Sequence, residues 1–216
     1  MKIDPKDLDW YHSHELLTNM ITPRPIAFVS TIGRDGVYNL APYSYFTAIC
    51  NSPMIVGFSQ GRKRKGQKKD TLVNIETSKE FVIAIVTESI AEAMVKTAKA
   101  YPLEVDEFRE AGLTPAPADR VQAPLLAESP VNMECRLVQI LEFGVAPRQN
   151  TFVIGQVLQV HIKDEFMVDN ELQPLKLKVI GRLGGHGKAY CRTTDVFNIQ
   201  RSKWLDAARR ESEQEK

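Results

Sequence analysis

The chain alternates short apolar runs with turn-forming residues, the pattern of many strands joined by tight connections. Residues 25–32 (PIAFVSTI) are rich in β-branched and aromatic side chains and predict a strand. Asp35 and Gly36 close a hairpin behind it, and the returning strand runs from 37 to about 41. Residues 54–59 (MIVGFS) and 81–86 (FVIAIV) are nearly continuous apolar runs and read as strands buried on both faces. Farther on, 131–141 alternates, 143–150 closes a hairpin, and 151–162 is a long strand broken at Gly155. Helices are expected at 70–78, with Asp70 as N-cap, at 89–100, where Ile90, Ala93, Met94 and Ala98 keep helical spacing, and at 105–111, ended by Gly112. Residues 1–20 are polar and mixed, 113–130 form a Pro- and Ala-rich wrapping loop, and 203–216 form a charged helical tail. Strands and helices do not alternate, so the expected fold is mainly β, an antiparallel barrel with helical excursions and not a doubly wound sheet.

One stretch departs from the plain strand pattern. Residues 39–47 (NLAPYSYFT) begin as a strand, meet Pro42, and continue as hydroxyls and aromatics. Proline cannot donate to a β-ladder, so the strand must end, bulge or lie on an edge there, which leaves neighbouring N–H groups free. About 25 residues later the chain carries six basic residues in nine, 61–69 (GRKRKGQKK), directly before the helix expected at Asp70 and Thr71. Clustered cations beside the unsatisfied N–H groups of a helix start make a phosphate site, with Ser59 and Thr71 as further hydroxyl donors.

Composition narrows the remaining classes. A chain of 216 residues with 43% hydrophobic positions supports one domain with a core, and a net charge of +1 gives no global field for nucleic acid or membrane. The basic run has no interleaved aromatics for base stacking, which argues against a nucleic-acid partner. Cys50, Cys135 and Cys191 are widely spaced, without CxxC, and fit buried thiols in a reducing compartment. The N-terminus lacks an apolar signal region and no run approaches the roughly 18 apolar residues of a membrane span, so a cytoplasmic protein is expected.

Catalytic side-chain signatures are missing. GxSxG, HExxH and GxxxxGK[ST] do not occur, and residues 181–185 (GRLGG) have the wrong spacing for a dinucleotide fingerprint. Gly184 and Gly185 read as a loop that lets backbone approach a ligand. His12 and His14 would share a strand face but lack a third metal ligand, so no metal site is assigned. His161 lies in a strand pattern and reads as a satisfied structural histidine, and His186 between glycines could line a mouth. Phosphate affinity without a catalytic trio suits a cofactor that carries its own chemistry.

Several of these pieces occur together in order. Pro23-Arg24-Pro25, Val29-Ser30-Thr31, Asp35-Gly36, residues 39–46, Ser52-Pro53, Lys69-Asp70-Thr71 with Asn74-Ile75, and Glu80-Phe81-Val82 are in register. The chain resembles the flavin reductase-like family of FMN-binding split barrels over about 20–195, with Arg182-Leu183-Gly184-Gly185 and Tyr190 similar to its C-terminal signature. The resemblance implies a split-barrel domain over 1–202 with the tail at 203–216, a homodimer, and FMN in a groove near the subunit interface. It implies that Tyr43, Ser44, Tyr45, Phe46 and Thr47 contact the flavin ring and ribityl chain. Ser59, Lys69, Asp70 and Thr71 hold the phosphate, with Asp70 capping the helix by its side chain and helping through its N–H. Arg182, Gly184, Gly185 and Tyr190 close over the flavin, and Arg24, Ser30 and Thr31 are weaker members of the same pocket. Two departures stand out: the loop at 61–68 is longer and more basic than a simple phosphate turn, and residues 185–188 (GHGK) are inserted before Tyr190. The implied activity is an NAD(P)H-dependent flavin reductase passing hydride through flavin N5 to free flavin, a monooxygenase partner or another acceptor, with NADH or NADPH as reductant. Two rival readings are a non-catalytic FMN carrier or flavin store, and a polyanion-binding module built on 61–69.

Overall fold

The structure, a computed structural model, describes residues 1–184 and 189–199, with Arg64 described by its backbone alone. The expected tail at 203–216, the insert at 185–188, Gly185 and His186 lie outside the described residues.

Seven antiparallel strands form one sheet: β1 (Ala27–Ile32), β2 (Tyr38–Tyr43), β3 (Tyr45–Asn51), β4 (Met54–Gly61), β5 (Glu80–Ile85), β8 (Val131–Phe143) and β9 (Asn150–Ile162). Between β5 and β8 lie two short paired strands, β6 (Pro115–Ala116) and β7 (Leu125–Leu126). After β9 come the short pairs β10 (Met167–Val168) with β11 (Glu171–Leu172), and β12 (Ile180–Arg182) with β13 (Tyr190–Arg192). The main sheet runs in the order β2-β1-β5-β8-β9-β4-β3. Its two edge strands, β2 and β3, are consecutive in sequence, with only Ser44 between them. The chain therefore steps from one edge of the curled sheet to the other at Ser44, and the barrel is split along that step. Pro42 sits opposite Phe28 on edge strand β2, the position where a missing N–H costs no ladder bond. This is the mainly β, split antiparallel barrel expected from the sequence.

The continuous apolar runs are explained by cores on both faces of the sheet. Ala27 and Val29 of β1 join Tyr43, Phe58, Phe81, Ile83, Cys135 and Val153 inside the barrel, where Leu72 and Ile75 of α2 (Asp70–Ser78) plug one end. Ile26 and Phe28 face outward and pack with Leu40, Met94 of α3 (Ala91–Thr97) and Phe108 of α4 (Glu107–Ala111). Burying a Phe or Leu of this kind contributes about 1.5–3 kcal/mol, so the two cores together fix the register of β1.

Several expectations are corrected. Residues 10–20 form a helix, α1 (Trp10–Met20), capped by Asp9, whose side chain accepts from the His12 N–H at 2.8 Å. On a helix His12 and His14 do not share a face: His12 bonds Asp9, and His14 stacks on Trp10. Lys69, not Asp70, is the N-cap of α2, and the Asp70 carboxylate pairs instead with Lys63. The expected helix over 89–100 is a 3-10 turn at Glu88–Ile90 followed by the shorter α3. Strand β9 runs unbroken through Gly155, and the irregularity there belongs to its partner: the register shifts between Leu137 and Gln139 of β8, opposite Gly155 and Ile154. The glycine is required because a Cβ there would lie 2.4 Å from Cζ of the buried Phe81.

Candidate functional site

The seam at Ser44 is bordered by three cavities, and the residues expected to bind one ligand are distributed among them. The first, of about 400 Å³, lies where β2 meets the start of α2 and is lined by Asn39, Pro42, Tyr43, Lys63, Lys69, Asp70, Thr71, Lys99, Tyr101 and Glu107. The second, also about 400 Å³, is apolar and is lined by residues 44–47, Ser59, Arg24, Leu17, Ile21, Phe143 and Phe152. The third, about 630 Å³, holds Ser44, Pro42, Met94, Ala98, Arg182 and Tyr190. Ser44 belongs to the second and third cavities, and Pro42 and Ala98 belong to the first and third.

In the first cavity Lys69 is the half-buried cation without a counter-ion among the described residues. Its Nζ lies 5.2 Å from the centre of the Tyr43 ring, and it has no carboxylate partner among the described residues. Burial, and then the neighbouring Lys63, push its pKa below the ordinary lysine value, with Asp70 acting the other way. Three other cations of the basic run are paired. Lys63 Nζ lies 2.7 Å from both oxygens of Asp70, Lys68 lies 2.6 Å from Glu76, and Arg62 lies 2.5 Å from Glu142. Of the six cations in the run, Arg62, Lys63 and Lys68 are paired, and Lys69 lines the cavity without a carboxylate partner among the described residues.

Thr71 is placed by a buried network. Its Oγ1 accepts from Asn39 Nδ2 at 2.9 Å and from the Tyr43 hydroxyl at 2.8 Å. Asn39 Nδ2 and Asn74 Nδ2 also reach Thr31 Oγ1, at 3.1 and 3.0 Å. This chain ties β1, β2 and α2 together and fixes the first turn of the helix, whose leading N–H groups have no carbonyl partner within it. The Tyr43 side chain is a core group, stacked on Phe58 with ring centres 5.0 Å apart, and burial first of all raises its pKa. Thr31 is a member of the network and lines none of the three cavities, and neither does Ser30.

Ser59 sits opposite Tyr45 in the β3–β4 ladder and lines the apolar cavity, apart from Lys69, Asp70 and Thr71. Arg24 is 6% exposed, and its guanidinium is spent on carbonyls: Thr18 O at 2.6 Å, Ile21 O at 3.0 Å and Leu183 O at 3.2 Å. It fastens the end of α1 and the segment after β12 to the seam. Arg182 lies over the Tyr190 ring at 4.8 Å and pairs with Arg24 through backbone bonds of 2.8 and 2.9 Å. Gly184 packs against α1, where a Cβ would lie 2.4 Å from Thr18 O. Close packing against the helix thus requires a glycine at this position.

Glu107 was missed from the sequence, where Asp106-Glu107 reads only as an acidic helix start. It is 6% exposed, accepts the Leu40 N–H at 3.1 Å, and faces the lysine-lined cavity. Burial and then the negative charges of Asp70 and Asp106, opposed by backbone N–H bonds, raise its pKa to about 7. His161 is satisfied by Glu134, with Nε2 2.5 Å from Oε1. Asp119, Glu134 and His161 cluster closely enough to suggest a metal, but Glu134 is already filled by the amides of Asp119, Arg120 and Val121.

The donor set fits a flavin nucleotide. An uncompensated cation at a helix start suits a phosphate, and apolar walls with hydroxyls at the adjoining seam suit a ring and polyol. No helix among the described residues is long and apolar enough to cross a membrane.

Comparison with known proteins bears on the same region. The family described as the flavin reductase like domain matches residues 20–176. A protein of Halalkalibacterium halodurans is 34% identical over 203 residues, covering 93% of this chain and 96% of its own. Nitrilotriacetate monooxygenase component B from Bacillus cereus superposes with a TM-score of 0.87 at 32% identity, over 92% of this chain and 98% of that one. The 2-nitrobenzoate 2-nitroreductase of Pseudomonas fluorescens gives 0.84 at 28%, over 95% and 98%.

Proposed function

The chain belongs to the family of flavin reductase-like domains, and from that premise we propose that it is an FMN-binding, NAD(P)H-dependent flavin reductase. Its flavin phosphate sits in the lysine-lined cavity and its ring lies along residues 44–47. The observation that carries this reading is Lys69, a half-buried ammonium that has no counter-ion among the described residues and lies beside the first turn of α2. The likeness to a monooxygenase component and to a nitroreductase supports a redox role.

When bound, the flavin supplies hydride acceptance and onward electron transfer. The chain's own residues bind, orient and exclude water. Lys69 and the leading N–H groups of α2 neutralise the phosphate, and the Asn39–Thr71–Tyr43 network holds them in place. At the seam, Ser44 and Thr47 offer hydroxyls and backbone donors to the polar edge of the ring, and Phe46 offers apolar surface. Arg182 and Tyr190, held as a stacked pair, form the far wall. Ile49, Met54, Val138 and Phe143 are exposed apolar side chains on the strands of the β3–β4–β9–β8 half of the sheet, and a second copy of the chain covers them in a homodimer.

Anaerobic addition of NADH or NADPH to the FMN-loaded protein tests the activity: the flavin absorption band bleaches within the mixing time. FMN bound without bleaching by either nucleotide identifies the non-catalytic carrier instead. Light scattering after gel filtration returns twice the chain mass if the dimer is correct.

A further inference from the structure

We propose that Glu107 is a proton-linked phosphate-recognition residue: as the neutral acid it donates to a phosphate monoester beside Lys69, and as the carboxylate it repels one. The proposal rests on the phosphate assignment above and adds a proton to it. It also makes flavin retention by this protein depend on pH.

The geometry supplies three facts. Glu107 shares the cavity wall with Lys69 and Asn39, is 6% exposed, and has no cation within ion-pair distance among the described residues. Its hydrogen bonds come from backbone N–H groups, Leu40 at 3.1 Å and its own. The Leu40 bond uses Oε2, and two backbone donors do not exhaust the acceptor sites of a carboxyl that lines the cavity. The groups facing it from each neighbouring element are Asp35 in the β1–β2 turn, Tyr43 on β2, Lys63 in the basic loop, Lys69 and Asp70 at the start of α2, Lys99 and Tyr101 after α3, and Asp106 beside it. Lys63 is engaged by Asp70, so Lys69 and the exposed Lys99 are the cations not paired there.

The consequence is electrostatic. A carboxylate and a phosphate dianion in one half-buried cavity repel strongly, because little water screens them. If the carboxyl takes a proton, the repulsion disappears and an O–H donor replaces it. Phosphate binding therefore draws one proton from solvent onto Glu107 wherever the free cavity holds the carboxylate. With a free-state value raised to about 7, that condition applies on the alkaline side of neutrality.

FMN, riboflavin and NADP⁺ are titrated into the protein by calorimetry and flavin fluorescence at about pH 6.5 and about pH 8.5, a window in which the FMN phosphate stays mostly dianionic. The FMN Kd is expected to rise about twentyfold from the lower to the higher pH, while the riboflavin Kd moves less than about twofold. Buffers of different ionisation enthalpy should count close to one proton taken up per FMN at the higher pH, a measurement that needs no variant. In Glu107→Gln, which keeps an acceptor for the Leu40 N–H, FMN affinity should be level across the window and near the wild-type value at low pH. A pH-independent FMN Kd in the wild type overturns the proposal, as does an unchanged dependence in E107Q or in riboflavin binding. Dependence seen with NADP⁺ alone overturns it as a flavin-phosphate site. Failure to bind FMN at either pH overturns the phosphate assignment beneath it.

Discussion

Glu134 gives the sharpest quantitative test of how the sheet holds its longest loop. The side chain is fully buried on β8 and accepts four hydrogen bonds: from the Asp119 N–H at 3.0 Å, Arg120 at 2.6 Å, Val121 at 3.0 Å, and His161 Nε2 at 2.5 Å. Burial alone would raise its pKa, but the His161 bond and the amides of Asp119 and Arg120 outweigh burial and hold it below the ordinary carboxylate value. Glu134→Gln keeps the shape and replaces one acceptor oxygen by NH₂. The best arrangement turns the NH₂ toward His161, whose other tautomer accepts it, and leaves the carbonyl for Arg120 and Val121. The Asp119 N–H is then orphaned, and the charge-assisted bonds become neutral ones. That predicts a loss of about 1–3 kcal/mol. For a chain of this size it lowers Tm by about 3–10 °C. The sign with pH also follows. A depressed folded-state pKa gives stability that is present above the unfolded value and lost as pH falls through the folded one. The gap between wild type and E134Q should therefore be full near neutrality and close in acid. Urea unfolding at several pH values, with proteolysis of the 113–130 loop as a local probe, measures both. Equal midpoints near neutrality, or a gap that widens in acid, would refute the reasoning.

Three further outcomes follow from the geometry. Lys69→Met removes the unpaired ammonium but keeps its contact with the Tyr43 ring, so FMN affinity should fall about 10–100-fold, riboflavin affinity should hold, and stability should not drop. Equilibrium dialysis with both flavins reads the difference. Thr71→Val strips the acceptor from Asn39 and Tyr43 and should cost about 2–4 kcal/mol, and adding Tyr43→Phe should recover part of it. Strictly additive losses in denaturant would show that the network is not coupled. Gly155→Ala drives a Cβ into the buried Phe81 ring and should lower stability by about 1–3 kcal/mol with no change in flavin affinity, as read by thermal melts and FMN titration.

The sequence disclosed what depends on local pattern. The β-branched run of β1, the Asp35–Gly36 turn, the helix at 70–78 and the two long strands at the C-terminal half were legible because period and turn chemistry are read within a few residues. Helix α1 was not, because most of its residues are exposed and its fixing contacts come from Arg24 and Gly184, far along the chain or beyond its end. Within the site, Lys69 and Thr71 were placed at one cavity as expected, whereas Ser59 belongs to another. Two of the basic loop residues are silenced by Glu142 and Glu76, partners that no sequence window contains or ranks. Glu107 is the clearest case: its importance comes entirely from folding α4 under β2, which removes water from a carboxyl that looks like an ordinary helix-start acid.

The three cavities trace back to one residue choice. A strand that could pair on both sides at 38–43 would let the sheet close and bury residues 44–47 inside a continuous ladder. Pro42 withholds an N–H from that ladder, and β2 is accordingly an edge. With β2 and β3 at opposite edges, the single linking residue Ser44 carries the chain across the gap, and its neighbours keep donors that closure would have consumed. Inside the barrel, Tyr43 turns to the core and ties the edge of the gap to α2 through Thr71. Helix α2 then does two jobs from one position, plugging the barrel with Leu72 and Ile75 while presenting its first turn and Lys69 beside the gap. A binding site of this kind needs no catalytic trio. It needs an edge that stays open and a cation left unpaired, and the fold supplies both at the same end.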